Sequence, residues 1–342
     1  MKIVILAGGA GTRLWPMSTD EKPKQFQKLI SDRTMIQETF DRVNFVDPSD
    51  IYVSTNLKYV DLVKEQLPEI PEENIIAEPS RQDSGPCMGL VAALIAKTEP
   101  EAVIAMVSSD HLVQDVNEFQ EKLKMTAVIA KRDKTLNIIE VKAKSPNVNL
   151  GYVQVGTQIE PGVFEFKAFK EKPDLETAKQ FLASGDYLWN TGYYVWRADV
   201  ILDAFKLHLP QTYNQLMSIQ AGGDINTHYP LCDKISVDYG IMEKVAPDQV
   251  RIISADLGWS DIGTWASLHE ELVADPQDNL IKGNVFALEC KGCVLYNESE
   301  TPLSVFALTG MVVVQTNEQQ LSCPLNRSHD LKQLLHAQAN AH

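Results

Sequence analysis

A short apolar strand running straight into glycines limits what this chain can become. It reads Lys2-Ile3-Val4-Ile5-Leu6-Ala7, then Gly8-Gly9-Ala10-Gly11-Thr12-Arg13-Leu14. Glycine lacks a Cβ, so a turn of this kind lets backbone N–H groups approach an anion closely. Arg13 stands within the loop, and Lys24 follows in Lys22-Pro23-Lys24-Gln25-Phe26. Two familiar phosphate loops are excluded. A P-loop needs G-x-x-x-x-G-K-[ST], but Arg13 lies five residues after Gly8 and no Gly-Lys-Ser/Thr occurs. A dinucleotide fingerprint needs a third glycine entering a helix, and Leu14 occupies that place. Pro16 and Pro23 oppose a long early helix, because proline removes a donor and clashes inside one. What remains is an irregular loop carrying cations, which reads as a cradle for a nucleoside triphosphate.

Behind this loop, strand-like and helix-like stretches alternate. Strands are expected at 3–7, 50–54, 74–77, 102–107, 136–141, 164–169, 193–196 and 250–253. Helices are expected at 35–43, 58–67, 88–97, 116–131, 175–184 and 198–207. That alternation predicts an α/β fold, and near-continuous apolar strands such as Val103-Ile104-Ala105-Met106-Val107 suit a sheet covered by helices on both faces. The composition shifts near 274–279, after which short strands are expected at 284–289, 293–297, 303–307 and 310–315, closed by a helix over 329–338. Two domains follow from this: a catalytic domain over 1–274 and a small β-rich domain over 280–342.

The chain of 342 residues carries a formal net charge of −15, which argues against nucleic acid as a partner. A basic cluster in such a chain is a local exception to its overall field. No apolar run approaches the roughly 20 residues of a membrane span, so no membrane partner is expected and the cytoplasm is the expected location. Five scattered cysteines suit a reducing compartment. The lone Cys290-Lys291-Gly292-Cys293 reads as a turn between two strands, since a zinc site needs a second pair.

Open α/β sheets bind ligands beyond the carboxyl ends of their strands. Ser108-Ser109-Asp110-His111 follows such a strand, and an Asp there suits Mg²⁺, which takes one or two carboxylates plus phosphate and water. Asp256-Leu257-Gly258-Trp259-Ser260-Asp261 offers Asp261 as a second ligand. The alternative for each Asp is a helix cap. Phe169-Lys170-Glu171-Lys172-Pro173 sets a Lys beside a Glu, fit for a sugar phosphate and a sugar hydroxyl. In Trp189-Asn190-Thr191-Gly192, Asn190 is both donor and acceptor, and Gly192 leaves room for a ligand. Glu78-Pro79-Ser80-Arg81-Gln82-Asp83-Ser84 is a polar loop between strand and helix that could read a base edge.

Taken in order, these stretches resemble the sugar-1-phosphate nucleotidyltransferases, and among them the mannose-1-phosphate guanylyltransferases. Trp15-Pro16 joined to Pro23-Lys24-Gln25-Phe26 is the most specific part, with Gly151-Tyr152, Glu171-Lys172-Pro173-Asp174 and Asp238-Tyr239-Gly240-Ile241-Met242-Glu243-Lys244 in support. The resemblance implies a Rossmann-like, mostly parallel mixed sheet of the nucleotide-diphospho-sugar transferase type, with a β-helix-like C-terminal domain. It implies GTP and mannose 1-phosphate as substrates and GDP-mannose and pyrophosphate as products, while the β-rich tail could either pack on the catalytic domain or pair with a second subunit as a homodimer through the C-terminal domain. Arg13, Lys24, Asp110 and Asp261 would be catalytic, with Asp110 and Asp261 holding Mg²⁺. Leu6, Ala7, Gly8, Gly9, Gly11 and Thr12 would join Arg13 and Lys24 around the nucleotide, with Glu78, Arg81, Ser84 and Ser109 completing its site. Gly151, Glu171, Lys172, Asn190 and Gly192 would bind the sugar phosphate. Two departures stand out: Gln82-Asp83 where the family usually has Asn-Thr, and Ser108-Ser109 ahead of Asp110. The first touches the base-reading loop and keeps another sugar phosphate, such as a heptose phosphate, as an alternative substrate. A non-catalytic regulatory relative is the further alternative.

Overall fold

A computed structural model describes residues 1–9 and 11–339, with the backbone alone for Thr12. Ala10 of the glycine run and the Thr12 side chain therefore lie outside the described residues. By compactness the chain forms two units. The first takes 1–8, 39–109 and 113–259; the second takes 9–38, 110–112 and 260–342.

The first unit is built on a nine-stranded sheet. Its strands are β1 (Lys2–Leu6), β2 (Ile51–Asn56), β3 (Ile75–Glu78), β4 (Val103–Ser108), β5 (Leu136–Lys142), β6 (Tyr152–Glu160), β7 (Val163–Lys170), β8 (Tyr187–Arg197) and β9 (Val250–Ala255). They lie in the order β3-β2-β1-β4-β8-β5-β9-β7-β6. Only β7 and β8 oppose the common direction. The sheet is therefore mixed and mostly parallel, as expected. The helices are α1 (Met35–Val43), which begins in the second unit, and then α2 (Val60–Gln66), α3 (Ser84–Ala96), α4 (Val116–Asp133), α5 (Leu175–Ser184), α6 (Ala198–His208) and α7 (Pro210–Gln220).

Alternation along each strand sorts side chains to two buried faces. On β4, Ile104 and Met106 join Tyr194, Trp196, Ile138 and Ile252 in a core closed by Leu90, Val91, Ile201, Phe205 and Leu216 from α3, α6 and α7. The opposite face meets α4, where Phe119 packs edge-on against Tyr193 with centroids 5.3 Å apart. α4 starts where the Asp115 carboxylate accepts the Glu118 N–H at 2.9 Å and stops where Lys134 turns left-handed.

In the second unit the chain alternates between two small sheets. Leu280–Gly283, Val294–Asn297 and Met311–Gln315 pair in parallel, and Val285–Leu288 pairs in parallel with Leu303–Phe306. Successive turns thus stack as a short parallel β coil, the β-helix-like arrangement expected of this segment. Gln320–Pro324 then closes one sheet antiparallel. Leu295, Val313 and Leu303 fill the space within the coil. On the other face Val294, Tyr296, Val312 and Val314 bury Leu14, Trp15, Leu29, Met35 and Trp265. Lys282 Nζ donates to the carbonyls of Lys28 and Ser31, and Tyr296 Oη to that of Leu29.

These contacts explain why compactness parts the chain differently from the expected 1–274 and 280–342. The apolar residues of the loop after the glycines, Leu14, Trp15, Met17 and Leu29, share a core with the β coil. Among the described residues no helix is long and apolar enough to cross a membrane.

Several element bounds move. α3 begins at Ser84, four residues before its expected start, so the end of the polar loop is its first turn. The segment Trp189-Asn190-Thr191-Gly192 lies inside the long strand β8, at a register shift against β5. The helix α7 is not among the expected helices, although Pro210 in its first turn and the spacing of Thr212, Leu216 and Ile219 mark it.

Candidate functional site

The second unit gathers a cation–carboxylate cluster. Pro23 leads into a single 3-10 turn over Lys24–Phe26, which buries the Lys24 side chain. Its ammonium donates to the Asp110 carbonyl at 2.6 Å, the Asp261 carbonyl at 2.6 Å and the Asp110 carboxylate at 3.2 Å. Burial alone would raise the Asp110 carboxyl. The Lys24 ammonium and the His111 ring outweigh this and hold it below the usual carboxylate range. Gly11 fits here for two reasons: its φ is +59°, and a Cβ would meet Lys24 Cβ at 2.6 Å. A Cβ on Gly263 would lie 3.1 Å from Asp261 Oδ2 and 3.4 Å from the Arg13 guanidinium, so Arg13 and Asp261 flank one glycine. Neither Asp is a helix cap: the next helix, Trp265–Leu272, is capped by Thr264 in a reciprocal pair with Ser267.

Two carboxylates with hard oxygen donors suit a divalent cation that keeps phosphate and water ligands. Among the described residues no group of three or more His, Cys, Asp or Glu is placed to hold a metal ion by itself.

In the first unit, Leu6 ends β1 and Ala7 follows it, with their backbones engaged: Leu6 O accepts the Ser109 N–H, and Ala7 O the Thr55 hydroxyl. Glu78 ends β3 and is buried. Burial raises its carboxyl, opposed by bonds from the Tyr229 hydroxyl, the Cys87 thiol and the Ser54 hydroxyl. Tyr229 Oη donates to Glu78 Oε2 at 2.5 Å. Gly8 lies over this group, with Glu78 Oε1 at 3.7 Å from where a Cβ would be. Arg81 is exposed and donates to Tyr59 Oη at 3.0 Å. Ser84 Oγ accepts the Val237 N–H at 3.0 Å. Asp83 sits at φ +71° and ψ 179°, a region that favours glycine.

A second group in this unit joins Gly151, Glu171 and Asn190. A Cβ on Gly151 would stand 2.5 Å from Glu171 Oε2 and 3.1 Å from Asn190 Cβ. Asn190 N–H donates to Gly151 O at 2.9 Å. Lys172 bridges Glu171 at 2.6 Å with an exposed side chain. Burial raises the Glu171 carboxyl against that ammonium, and Asp238 and Glu243 push the same way. Asn190 is less free than expected: Oδ1 accepts the Gly192 N–H, and Nδ2 donates to Asp238 Oδ1 at 3.1 Å and to Tyr194 Oη at 3.3 Å. Tyr194 Oη also donates to Asp238.

The expected residues thus fall into three groups, two in the first unit and one in the second. Among the described residues nothing stands within 4 Å of where a Gly9 Cβ would be, and its carbonyl accepts from Gln25 Nε2 at 2.9 Å. Sequence reasoning missed Tyr229, Tyr194, Asp238 as a side-chain partner, and Glu140. For Glu140 a signal existed: a lone carboxyl within the otherwise apolar run Ile138-Ile139-Glu140-Val141.

Residues 2–278 match the family described as nucleotidyl transferase. The mannose-1-phosphate guanylyltransferase of Escherichia coli strain K12 is 32% identical over 349 residues, covering 97% of this chain and 72% of that protein. The alginate biosynthesis protein AlgA of Pseudomonas syringae pv. tomato is 30% identical over 344 residues, covering 97% of this chain and 70% of that protein. A crystal structure from Thermus thermophilus, described as a mannose-1-phosphate geranyltransferase, matches with a TM-score of 0.91 at 24% identity over 99% of each chain. That last likeness bears on the fold alone.

Proposed function

The chain belongs to the nucleotidyl transferase family and acts as a sugar-1-phosphate nucleotidyltransferase, and from that premise we propose that it makes GDP-mannose and pyrophosphate from GTP and mannose 1-phosphate. The observation that carries this reading is the gathering of Arg13, Lys24, Asp110 and Asp261 in a chain of net charge −15. The choice of guanine and mannose rests on the relative from Escherichia coli.

The nucleophile is a phosphate oxygen of the sugar phosphate. Its second pKa is about 6, so it is ionised near neutral pH and requires no side-chain base. It forms a bond to the α-phosphorus, the bond to the bridging oxygen breaks, and pyrophosphate leaves with the electron pair. Two anions must meet, so the protein acts by positioning and by neutralising charge. Arg13, Lys24 and the N–H groups of Gly8, Gly9 and Gly11 serve the phosphates. Lys24 has three donors and three internal acceptors, so it serves a phosphate by releasing one of them. The longest of its bonds, to the Asp110 carboxylate, is the natural one to release. Asp110 and Asp261 would hold Mg²⁺, which when bound neutralises triphosphate oxygens. Glu78, Arg81, Ser84 and Ser109 serve the nucleoside, and Gly151, Glu171, Lys172, Asn190 and Gly192 the mannose phosphate. Pairing of two copies through the C-terminal strands belongs to the same proposal and rests on the exposed Phe286, Leu288 and Phe306.

The test is pyrophosphate release over a panel of nucleoside triphosphates and sugar 1-phosphates with Mg²⁺, for the parent and Asp261→Asn. GTP with mannose 1-phosphate should be turned over fastest, and the variant should lose about a hundredfold in rate. A different best pair overturns the substrate assignment. No release from any pair leaves a regulatory binding protein.

A further inference from the structure

Strand β8 carries two residues that its partner does not match. Ile139 of β5 pairs with Tyr193 and Glu140 with Asn190, so Thr191 and Gly192 have no opposite residue. A bulge leaves backbone N–H groups without ladder acceptors. Here side chains supply them. Thr191 N–H donates to Glu140 Oε2 at 3.0 Å, and Gly192 N–H to Asn190 Oδ1 at 3.0 Å. The Thr191 hydroxyl donates to the Ile139 carbonyl at 2.5 Å, which ties the bulge to β5 a second time.

Glu140 is fully buried, with Asn190 on one flanking strand and Ser254 on the other. Its Oε1 has no hydrogen-bond partner among the described residues. Burying a carboxyl to accept one amide proton is unfavourable unless that amide has to stand where it does. The amide belongs to the segment that presents Asn190 and Gly192, and Asn190 is bonded in turn to Gly151 and Asp238.

We propose that Glu140 is a positioning residue for the sugar 1-phosphate: its carboxyl caps the bulge at Thr191 and so sets Asn190 and Gly192 against Gly151 and Glu171. This rests on the reading of that group as the sugar-phosphate site. Burial pushes the Glu140 carboxyl well above its ordinary range, and the charge of Asp238 adds to this. Asp238 and the hydroxyl of Tyr194 are the titratable groups that face it. Glutamine is the conservative replacement at a carboxyl pushed up in this way, because it keeps the oxygen that accepts the Thr191 N–H.

The experiment compares the parent with Glu140→Gln and Glu140→Leu. It uses steady-state kinetics and amide hydrogen exchange over residues 187–197, with and without mannose 1-phosphate. Glu140→Leu should exchange faster at Thr191 and Gly192 and lose the protection that mannose 1-phosphate gives the parent. Its KM for the sugar phosphate should rise about tenfold, the order set by an unsatisfied buried amide, with KM for GTP unchanged. Glu140→Gln should match the parent in both. Equal rises in the two KM values, parental exchange in Glu140→Leu, or a glutamine variant as impaired as leucine would each overturn the proposal. Should Glu140→Leu not fold, Glu140→Ala removes the carboxyl without added bulk and is read the same way. A parent that turns over no substrate pair yet gains protection from mannose 1-phosphate would refute the reaction and leave the role of Glu140 standing. A parent that gains no protection would remove the sugar site and the proposal with it.

Discussion

Replacing Lys24 with methionine tests the cation–carboxylate cluster most directly. Methionine keeps the length and apolar stem of lysine and removes only the charge and its donors. The Lys24 side chain is 4% exposed, so its two carbonyl partners lose a donor that water does not readily replace. Hydrogen bonds from a charged donor are worth about 1.5–3 kcal/mol each, so the two at 2.6 Å account for about 3–6 kcal/mol. The carboxylate contact adds little. It is longer, at 3.2 Å, and the Asp110 side chain is 38% exposed, so solvent screens the pair to about 0–1 kcal/mol.

Scanning calorimetry should therefore show the transition falling by on the order of 10 °C. A double-mutant cycle with Asp110→Asn should give a coupling of about 1 kcal/mol or less, because the carbonyl contacts persist when the carboxylate is neutralised. Pyrophosphate release should fall about a hundredfold or more as charge neutralisation is lost. A coupling above about 3 kcal/mol would refute this partition and make the ion pair the main contact. A midpoint within about 2 °C of the parent would show that the ammonium does not hold the Asp110 and Asp261 segments together.

Two further substitutions probe the other groups. Gly151→Ala places a methyl group 2.5 Å from Glu171 Oε2 and 3.1 Å from Asn190 Cβ, and should raise KM for the sugar 1-phosphate about tenfold while sparing KM for GTP. Initial rates with each substrate varied in turn read this, and a GTP effect of equal size counts against the assignment. Glu140→Gln should become more stable than the parent as pH rises. Below the ordinary glutamate range both side chains are neutral in folded and unfolded chains. Above it, the unfolded parent ionises while the folded parent keeps its proton, so stability is lost upward through that window. Melting of both proteins at pH 4 and pH 8 should show the gap widening with pH, and a constant gap contradicts a carboxyl pushed up by burial.

Much of this protein is determined locally. The run Ile3-Val4-Ile5-Leu6 can only be a buried strand, and the glycines after it exclude a helix-borne phosphate loop. The helix expected from residue 116 does start there, where the Asp115 carboxylate accepts the Glu118 N–H. Asp110 and Asp261 could be singled out because each follows a strand, which is a property of neighbours in the chain. Three matters were decided only by tertiary structure. Lys24 meets Asp110 and Asp261 across 86 and 237 residues, and no local propensity encodes a contact of that separation. The glycine loop groups with residues 260–342 rather than with the strand that feeds it, because Leu14, Trp15 and Met17 share a core with Trp265, Leu268 and the outer face of the β coil. The bulge at Thr191 and Gly192 depends on the register of β8 against β5, and register is fixed by which faces are buried rather than by either strand alone. That is why Glu140 reads as an anomaly in the sequence and gains a physical reason only once Thr191 N–H is seen to need it.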